Sequence, residues 1–259
     1  MLVSIPINYY STFIIEEKFG FNKTTKKTFL ADILKGTLMS ILIGGLLLAV
    51  AILILNYFSE GFWFWLWLSL SIFTVFISMF YTSLIVPIFN KLSPLEDGSL
   101  KTKIQQYSDK IGYSLKNIFV IDGSKRSSKA NAYFSGFGPK KTIALFDTLI
   151  EKHTEEELVA VLAHEVGHYK KNHINQGMIL SIIQIAVMCF LFELCLQLPE
   201  ISAALGAEIN AFHLGLIGFS FIFSPIGLIT GIFMNILSRK NEFEADEYAK
   251  KTYDGESLS

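Results

Sequence analysis

Long apolar runs without a charged residue alternate along this chain with shorter charged stretches. The first run is uncharged from Gly36 to Ser59 and the second from Gly61 to Asn90. A third extends from about Ile174 to Leu198, broken only by Glu193 near its far end, and a fourth lies within Ile209 to Ser238. A bilayer is crossed by about 20 apolar helical residues, so each run predicts a transmembrane helix, the first two at about 36–59 and 62–89. Phe62-Trp63-Phe64-Trp65 opens the second as an aromatic interfacial belt.

Between the second and third runs the pattern changes. Leu100 to Lys110 has the period of an amphipathic helix and Asn117 to Asp122 that of a short strand. Gly123 to Lys129 reads as a polar turn. Ala130 to Gly136 and Thr142 to Phe146 read as two strands joined around Gly136-Phe137-Gly138-Pro139. A helix then begins at Thr154. With Glu157 this residue forms a capping-box pattern, and Leu158, Val161, Leu162 and Val166 supply a helical apolar stripe. The expected fold is mainly α: a polytopic membrane protein with a small α+β region between its second and third spans. Its parts are an N-terminal membrane region (1–90), the α+β region (91–173), two further transmembrane helices (174–238) and a final helical segment (239–259).

Composition agrees with the membrane reading. The chain is 51% hydrophobic and only 17% charged, with a mean hydropathy of +0.45. The net charge of −1 implies no nucleic-acid partner. Cys189 and Cys195 both lie in an apolar run and read as small apolar helix residues. Every Lys and Arg falls in 18–35, 91–171 or 239–251, and none falls in the loops at Ser59-Glu60 or Pro199 to Glu208. Four crossings put the three basic stretches on one side, which the positive-inside rule makes cytoplasmic. The start, Met1 to Tyr10, lacks the basic opening and cleavage pattern of a signal peptide and reads as the tail of a longer span.

The chemistry is concentrated in His164-Glu165-Val166-Gly167-His168. Residues four apart share a helix face, so both imidazoles can reach one metal ion, with Glu165 beside it as a general base. A catalytic zinc usually takes three protein ligands. A third histidine in the H-E-x-x-H-x-x-G-x-x-H pattern is excluded, because Lys171 and Ile174 stand at the required glycine and histidine. His173 is one position off register and reads as an interfacial or surface residue. A carboxylate from Asn241-Glu242-Phe243-Glu244-Ala245-Asp246-Glu247 is the better candidate. Glu242 and Asp246 share a helix face, so Glu242 could bind the metal while Asp246 orients a ligand histidine through its second nitrogen. Glu244 points about 200° away from Glu242 and is the runner-up. The motif helix and the return of the fourth span approach the same membrane face, which places both halves of the site there.

The expected reaction is hydrolysis of a peptide bond by one zinc ion per chain, with Glu165 taking the water's proton and passing it to the leaving amine. Asn131-Ala132-Tyr133-Phe134 is the candidate substrate strand, with Asn131 able to hold peptide backbone by β-augmentation. In the fourth span, Ser224-Pro225 suggests a kink, and Gly227-x-x-x-Gly231 permits close helix packing.

Several blocks together carry a resemblance. They are Glu17 to Thr24 (EKFGFNKT), Phe80 to Asn90, Lys129 to Gly136, Leu145 to Leu149, His164 to His168, and Ser238 to Asp246. In this order they resemble the type I CAAX prenyl proteases, integral-membrane zinc metallopeptidases of the gluzincin kind, from about residue 10 to the end. The resemblance implies membrane helices enclosing a chamber and zinc near the cytosolic face. It implies zinc ligands at His164, His168 and Glu242, catalysis by Glu165, and a substrate contact at Asn131. It implies a peptide or membrane-protein substrate of the prenylated Cys-a-a-X type. The short basic loops suggest a bacterial member in an inner membrane; a eukaryotic one would lie in the endoplasmic reticulum. The family continues to a Ser-His-Pro segment whose histidine assists the transition state. This sequence stops at Ser259 and so reads as a fragment. Two alternatives are an HtpX-like quality-control protease and a non-enzymatic, zinc-stabilised membrane interaction protein.

Overall fold

The computed structural model describes residues 3–58, 60–112, 117–135, 142–209 and 211–253. The chain forms two compact units, threaded by shared helices. One comprises residues 1–43, 77–167 and 245–259, and the other 44–76 and 168–244.

The first unit opens with α1 (Ser4–Tyr10), which continues as a π-helical turn, Ser11–Glu16. Gly20, at φ 73°, turns the chain back. The next residues lie along the segment 126–128. Ser128 N–H donates to the Phe21 carbonyl at 2.9 Å, and Lys23 N–H to that of Arg126 at 3.0 Å. Lys129 pairs with Glu16 at 2.8 Å. The Arg126 guanidinium grips Asp32 through Nε (2.7 Å) and Nη2 (2.8 Å), and Nη2 also donates to the Phe89 carbonyl. This planar fork, which lysine could not reproduce, ties the start of α2 (Lys26–Tyr57) to the connection at residue 126 and to the helical turn that ends at Phe89. The next long helix is α3 (Phe62–Phe80). It passes through a π turn, Tyr81–Ile85, into α4 (Val86–Phe89).

Among the described residues, four short strands form one sheet in the order β1-β2-β4-β3. They are β1 (Leu92–Pro94), β2 (Asn117–Ile121), β3 (Ala132–Ser135) and β4 (Thr142–Phe146), and α5 (Ser99–Lys110) lies between the first two. β4 pairs parallel with β2 and antiparallel with β3, in the register Ala132↔Leu145 and Tyr133↔Ala144. The expected hairpin is therefore present, although its connection lies outside the described residues. Strand β4 is buried along most of its length, as expected of a central strand, and Ile121, Ala144 and Val86 close a small core around it. The sheet leads through α6 (Asp147–Lys152) to α7 (Glu155–Lys170).

The second unit contains the later part of α2, most of α3, all of α8 (His173–Gln197), the short α9 (Pro199–Ala204) and the greater part of α10 (Phe212–Thr252). Its core is Ile54, Phe62, Leu66, Cys189 and Phe192. Buried Glu193 has a local role: its Oε2 accepts the Trp63 N–H at 2.7 Å, satisfying a donor in the first turn of α3. Close helix packing is found away from the expected GxxxG pair. A β-carbon at Gly231 would meet open space, and one at Gly227 only Phe223 of the same helix. At Gly215 and Gly218 a β-carbon would fall 2.5 Å from Leu196 and 2.2 Å from Ile201. The helix runs on through Pro225.

Among the described residues, four helices are long and apolar enough to cross a bilayer: Lys26–Tyr57, Phe62–Phe89, His173–Gln197 and Phe212–Thr252. They are not the buried helices of a soluble core, since Leu42 and Leu228 are each 71% exposed. The architecture is thus mainly helical, with four candidate membrane spans and one small sheet.

Candidate metal centre

Helix α7 is fixed at its start by the reciprocal cap that its sequence predicts. Thr154 N–H donates to Glu157 Oε2 at 2.8 Å, and Glu157 N–H donates to Thr154 Oγ1 at 3.3 Å. Lys103 of α5 reaches Glu155 and Glu156 at 2.7 and 2.6 Å, holding both carboxyls below their ordinary range. The buried face is Leu158, Val159, Leu162, Ala163 and Val166, whereas Val161 is only half-buried. The stripe is therefore rotated slightly from the sequence reading. His164, Glu165 and His168 occupy the partly accessible side.

Gly167 lets a second helix approach. A β-carbon there would stand 3.0 Å from both the Cα and the carbonyl oxygen of Ala245, and 3.2 Å from Tyr248 Cβ. Ala245 and Ala249, both fully buried, present the matching small surface of α10. Sequence reasoning left Gly167 as one of the two unspecified positions of the motif.

Around this contact, α10 offers carboxylates one turn apart. Asp246 Oδ1 lies 2.8 Å from His164 Nδ1. A carboxylate accepts, so Nδ1 carries the hydrogen and Nε2 keeps its lone pair. Glu242 Oε2 lies 3.6 Å from His168 Nε2, too far for a hydrogen bond. Two ligands at about 2.05 Å from a tetrahedral zinc stand roughly 3.3 Å apart, so the separation suits a shared ion. One ligand atom each from His164, His168 and Glu242 lie within 4.8 Å of one another, a group that could hold a metal.

Two other residues differ from their expected places. His173 is not a surface residue; it is 6% exposed. Its Nδ1 lies 3.0 Å from His168 Nδ1, and its Nε2 lies 3.2 Å from Glu244 Oε2. Glu244, the runner-up ligand, is therefore given to His173. The sequence signal was hidden because α7 ends at Lys170, and Asn172, at φ 61°, turns the chain before α8 begins. Helical spacing does not measure direction across such a turn.

The candidate substrate segment lies at the sheet margin. β3 is an edge strand, paired on one side by β4. Asn131 just precedes it and is exposed; its carbonyl accepts Phe146 N–H at 3.0 Å and its Oδ1 accepts Ala132 N–H at 2.9 Å. Tyr133 packs against the small core of Val86, Ile121 and Ala144, where burial raises its phenol above the ordinary range. Because Asn131 pairs with Phe146, alternation along the ladder also turns the Tyr133 backbone towards β4, and of these three residues Ala132 turns its backbone outward.

Comparison with known proteins gives two adjoining family matches. Residues 94–258 match the model of peptidase family M48, and residues 1–91 match that of the CAAX prenyl protease N-terminal, five membrane helices. The chain is 36% identical over 266 residues to CAAX prenyl protease 1 of Saccharomyces cerevisiae, covering 96% of this chain and 59% of the yeast protein. It is 34% identical to the CAAX prenyl protease 1 homolog of Homo sapiens, covering 96% of this chain and 61% of that protein. The crystal structure of S. mikatae Ste24p superposes with a TM-score of 0.89 at 36% identity, covering 96% of this chain and 62% of that one. The chain thus spans about three fifths of the length of the relatives it matches. With a family match across residues 94–258, which include the whole HExxH helix and the carboxylates of α10, the chain belongs to peptidase family M48.

Proposed function

We propose that this chain carries the catalytic centre of a membrane-embedded zinc metalloendopeptidase acting on prenylated, CAAX-type or other membrane-associated proteins. The observation that carries the reading is the convergence of His164, His168 and Glu242, with Asp246 on the second nitrogen of His164. These three side chains would hold one zinc ion. A zinc ion held there would supply Lewis acidity, polarising the scissile carbonyl and making a bound water molecule much more acidic. Glu165, beside His164 on α7, takes a proton from the attacking water on its carboxylate and delivers it to the leaving amine. Asp246 keeps His164 in the tautomer whose Nε2 lone pair is available. The open margin of β3 at Asn131 to Tyr133 would take the substrate backbone as an added strand.

The CAAX-type substrate follows the names of the relatives, and their shared N-terminal family favours it over an HtpX-like quality-control role. The Lys and Arg distribution supports a multi-pass protein whose catalytic side faces the cytoplasm.

The deciding experiment uses the full protein in detergent or proteoliposomes with a prenylated CAAX peptide, following release of the C-terminal tripeptide by mass spectrometry. Glu165→Gln should abolish cleavage by at least about 10²-fold while zinc content is retained. Survival of cleavage in that variant removes Glu165 from the mechanism. Glu242→Ala should lose zinc, and an unchanged zinc content there rules out Glu242 as a ligand.

A further inference from the structure

The two ligand-candidate histidines are oriented differently. His164 meets a carboxylate directly, at 2.8 Å from Asp246. His168 has an imidazole, His173, at the corresponding nitrogen, and the carboxylate of Glu244 stands behind that imidazole. We infer that His173 and Glu244 are positioning residues for His168: a two-step relay that fixes its tautomer and ring orientation for metal binding. The inference rests on the metal reading proposed above.

The proton pattern follows from the acceptor at the far end. The Glu244 carboxylate accepts, so His173 Nε2 carries the hydrogen across the 3.2 Å contact. Neutral His173 then has its lone pair on Nδ1, where it accepts the Nδ1–H of His168 across 3.0 Å. That leaves the lone pair of His168 on Nε2, the atom 3.6 Å from Glu242 Oε2. Glu244 therefore sets the tautomer of His168 at one remove.

Burial makes the relay consequential. The His173 side chain is 4% exposed, so water is poorly placed to replace its contact with His168. The relay also accounts for the backbone at 170–173. Asn172 is the one non-glycine with positive φ among the described residues. Its left-handed conformation ends α7, and Gln176 N–H donates to its carbonyl at 2.9 Å to begin α8. This turn delivers His173, five residues on, against the His168 ring, with the ring centroids 5.1 Å apart. A single stretch of α10, residues 242–246, supplies the carboxylates facing His168, His173 and His164 in turn.

The test is zinc affinity, read by competition with a chromophoric chelator on the purified full protein and independent of catalysis. Loss of an outer partner of a ligand histidine typically costs 10–100-fold in metal affinity. His173→Phe and Glu244→Ala should each weaken zinc binding by about that factor. His173→Gln, whose amide oxygen can accept from His168 while its NH2 donates to Glu244, should stay closer to wild type than to the phenylalanine variant. Wild-type affinity in His173→Phe overturns the relay, as does an equal loss in the Phe and Gln variants, which would mark a packing role alone. If the buried His173 variants do not fold, Glu244→Ala decides, since the Glu244 side chain is partly exposed. Failure of the parent reading looks different: wild-type protein that binds no zinc, or His168→Ala that binds it unchanged.

Discussion

Gly167 lies between the two motif histidines, and its missing side chain lets α7 touch α10. An added β-carbon would press on backbone atoms of Ala245, which no side-chain rotation can move aside. Gly167→Ala should therefore displace α10, at a cost of about 1–3 kcal/mol as for other overpacked sites, and weaken zinc binding together with stability. Thermal unfolding in detergent and zinc affinity, measured side by side, check this; an unchanged melting temperature and affinity would show that the helices have slack. Residues such as His164, His168 and Glu242 were legible in the sequence because each lies within an uninterrupted helix, where spacing measures angle. His173 and Gly167 were not. One lies beyond a left-handed residue, and the other matters only through a helix distant in sequence.

At the scale of elements, the turn chemistry and periodicity of 91–173 carried over closely. The expected helix at 100–110, strands at 117–122 and 142–146, and capped helix after Thr154 all appear within a residue or two. The pairing order was not legible: β2 and β4 lie side by side in parallel although β3 intervenes in sequence, a contact set by packing rather than local pattern. The Glu157 cap makes a pH-dependent prediction. Its carboxyl is held below the ordinary value of 4.5, first by the Thr154 N–H. A depressed folded pKa means that the contribution is complete above the ordinary value and is lost as pH falls through the folded one. The first turn of α7 should therefore fray more readily below about pH 4.5, the ordinary carboxyl value. Thr154→Ala should open the same turn at neutral pH by about 1 kcal/mol. Hydrogen exchange of peptides covering 154–160 measures both, and equal protection in variant and wild type would remove the cap from the account.

For the whole molecule, helix length and charge together place the membrane. Helix α10 has 41 residues, or about 61 Å at 1.5 Å per residue, twice a hydrocarbon core of about 30 Å. Its first charged residue is Arg239, so the apolar stretch can fill the bilayer while the remainder projects beyond it, carrying Glu242 and Asp246 just past the boundary. The apolar runs made the spans legible, the segment after Ser238 was expected to be helical, and the fourth span continues through it as one helix to Thr252. The cations predict a sidedness that labelling can test. Residues 239 and 240 are basic, whereas 199–208 contain no Lys or Arg. In a protein with Cys189 and Cys195 replaced by alanine, Lys240→Cys should react with an impermeant maleimide only from the cytoplasmic side, and Glu200→Cys only from the opposite side. Both positions are exposed, so burial does not prevent labelling. Labelling of both from one side would mean that α10 does not cross between them, and labelling with reversed sides would turn the metal site away from the cytoplasm. Either result breaks the link between the charge distribution and the proposed access of cytoplasmic substrates.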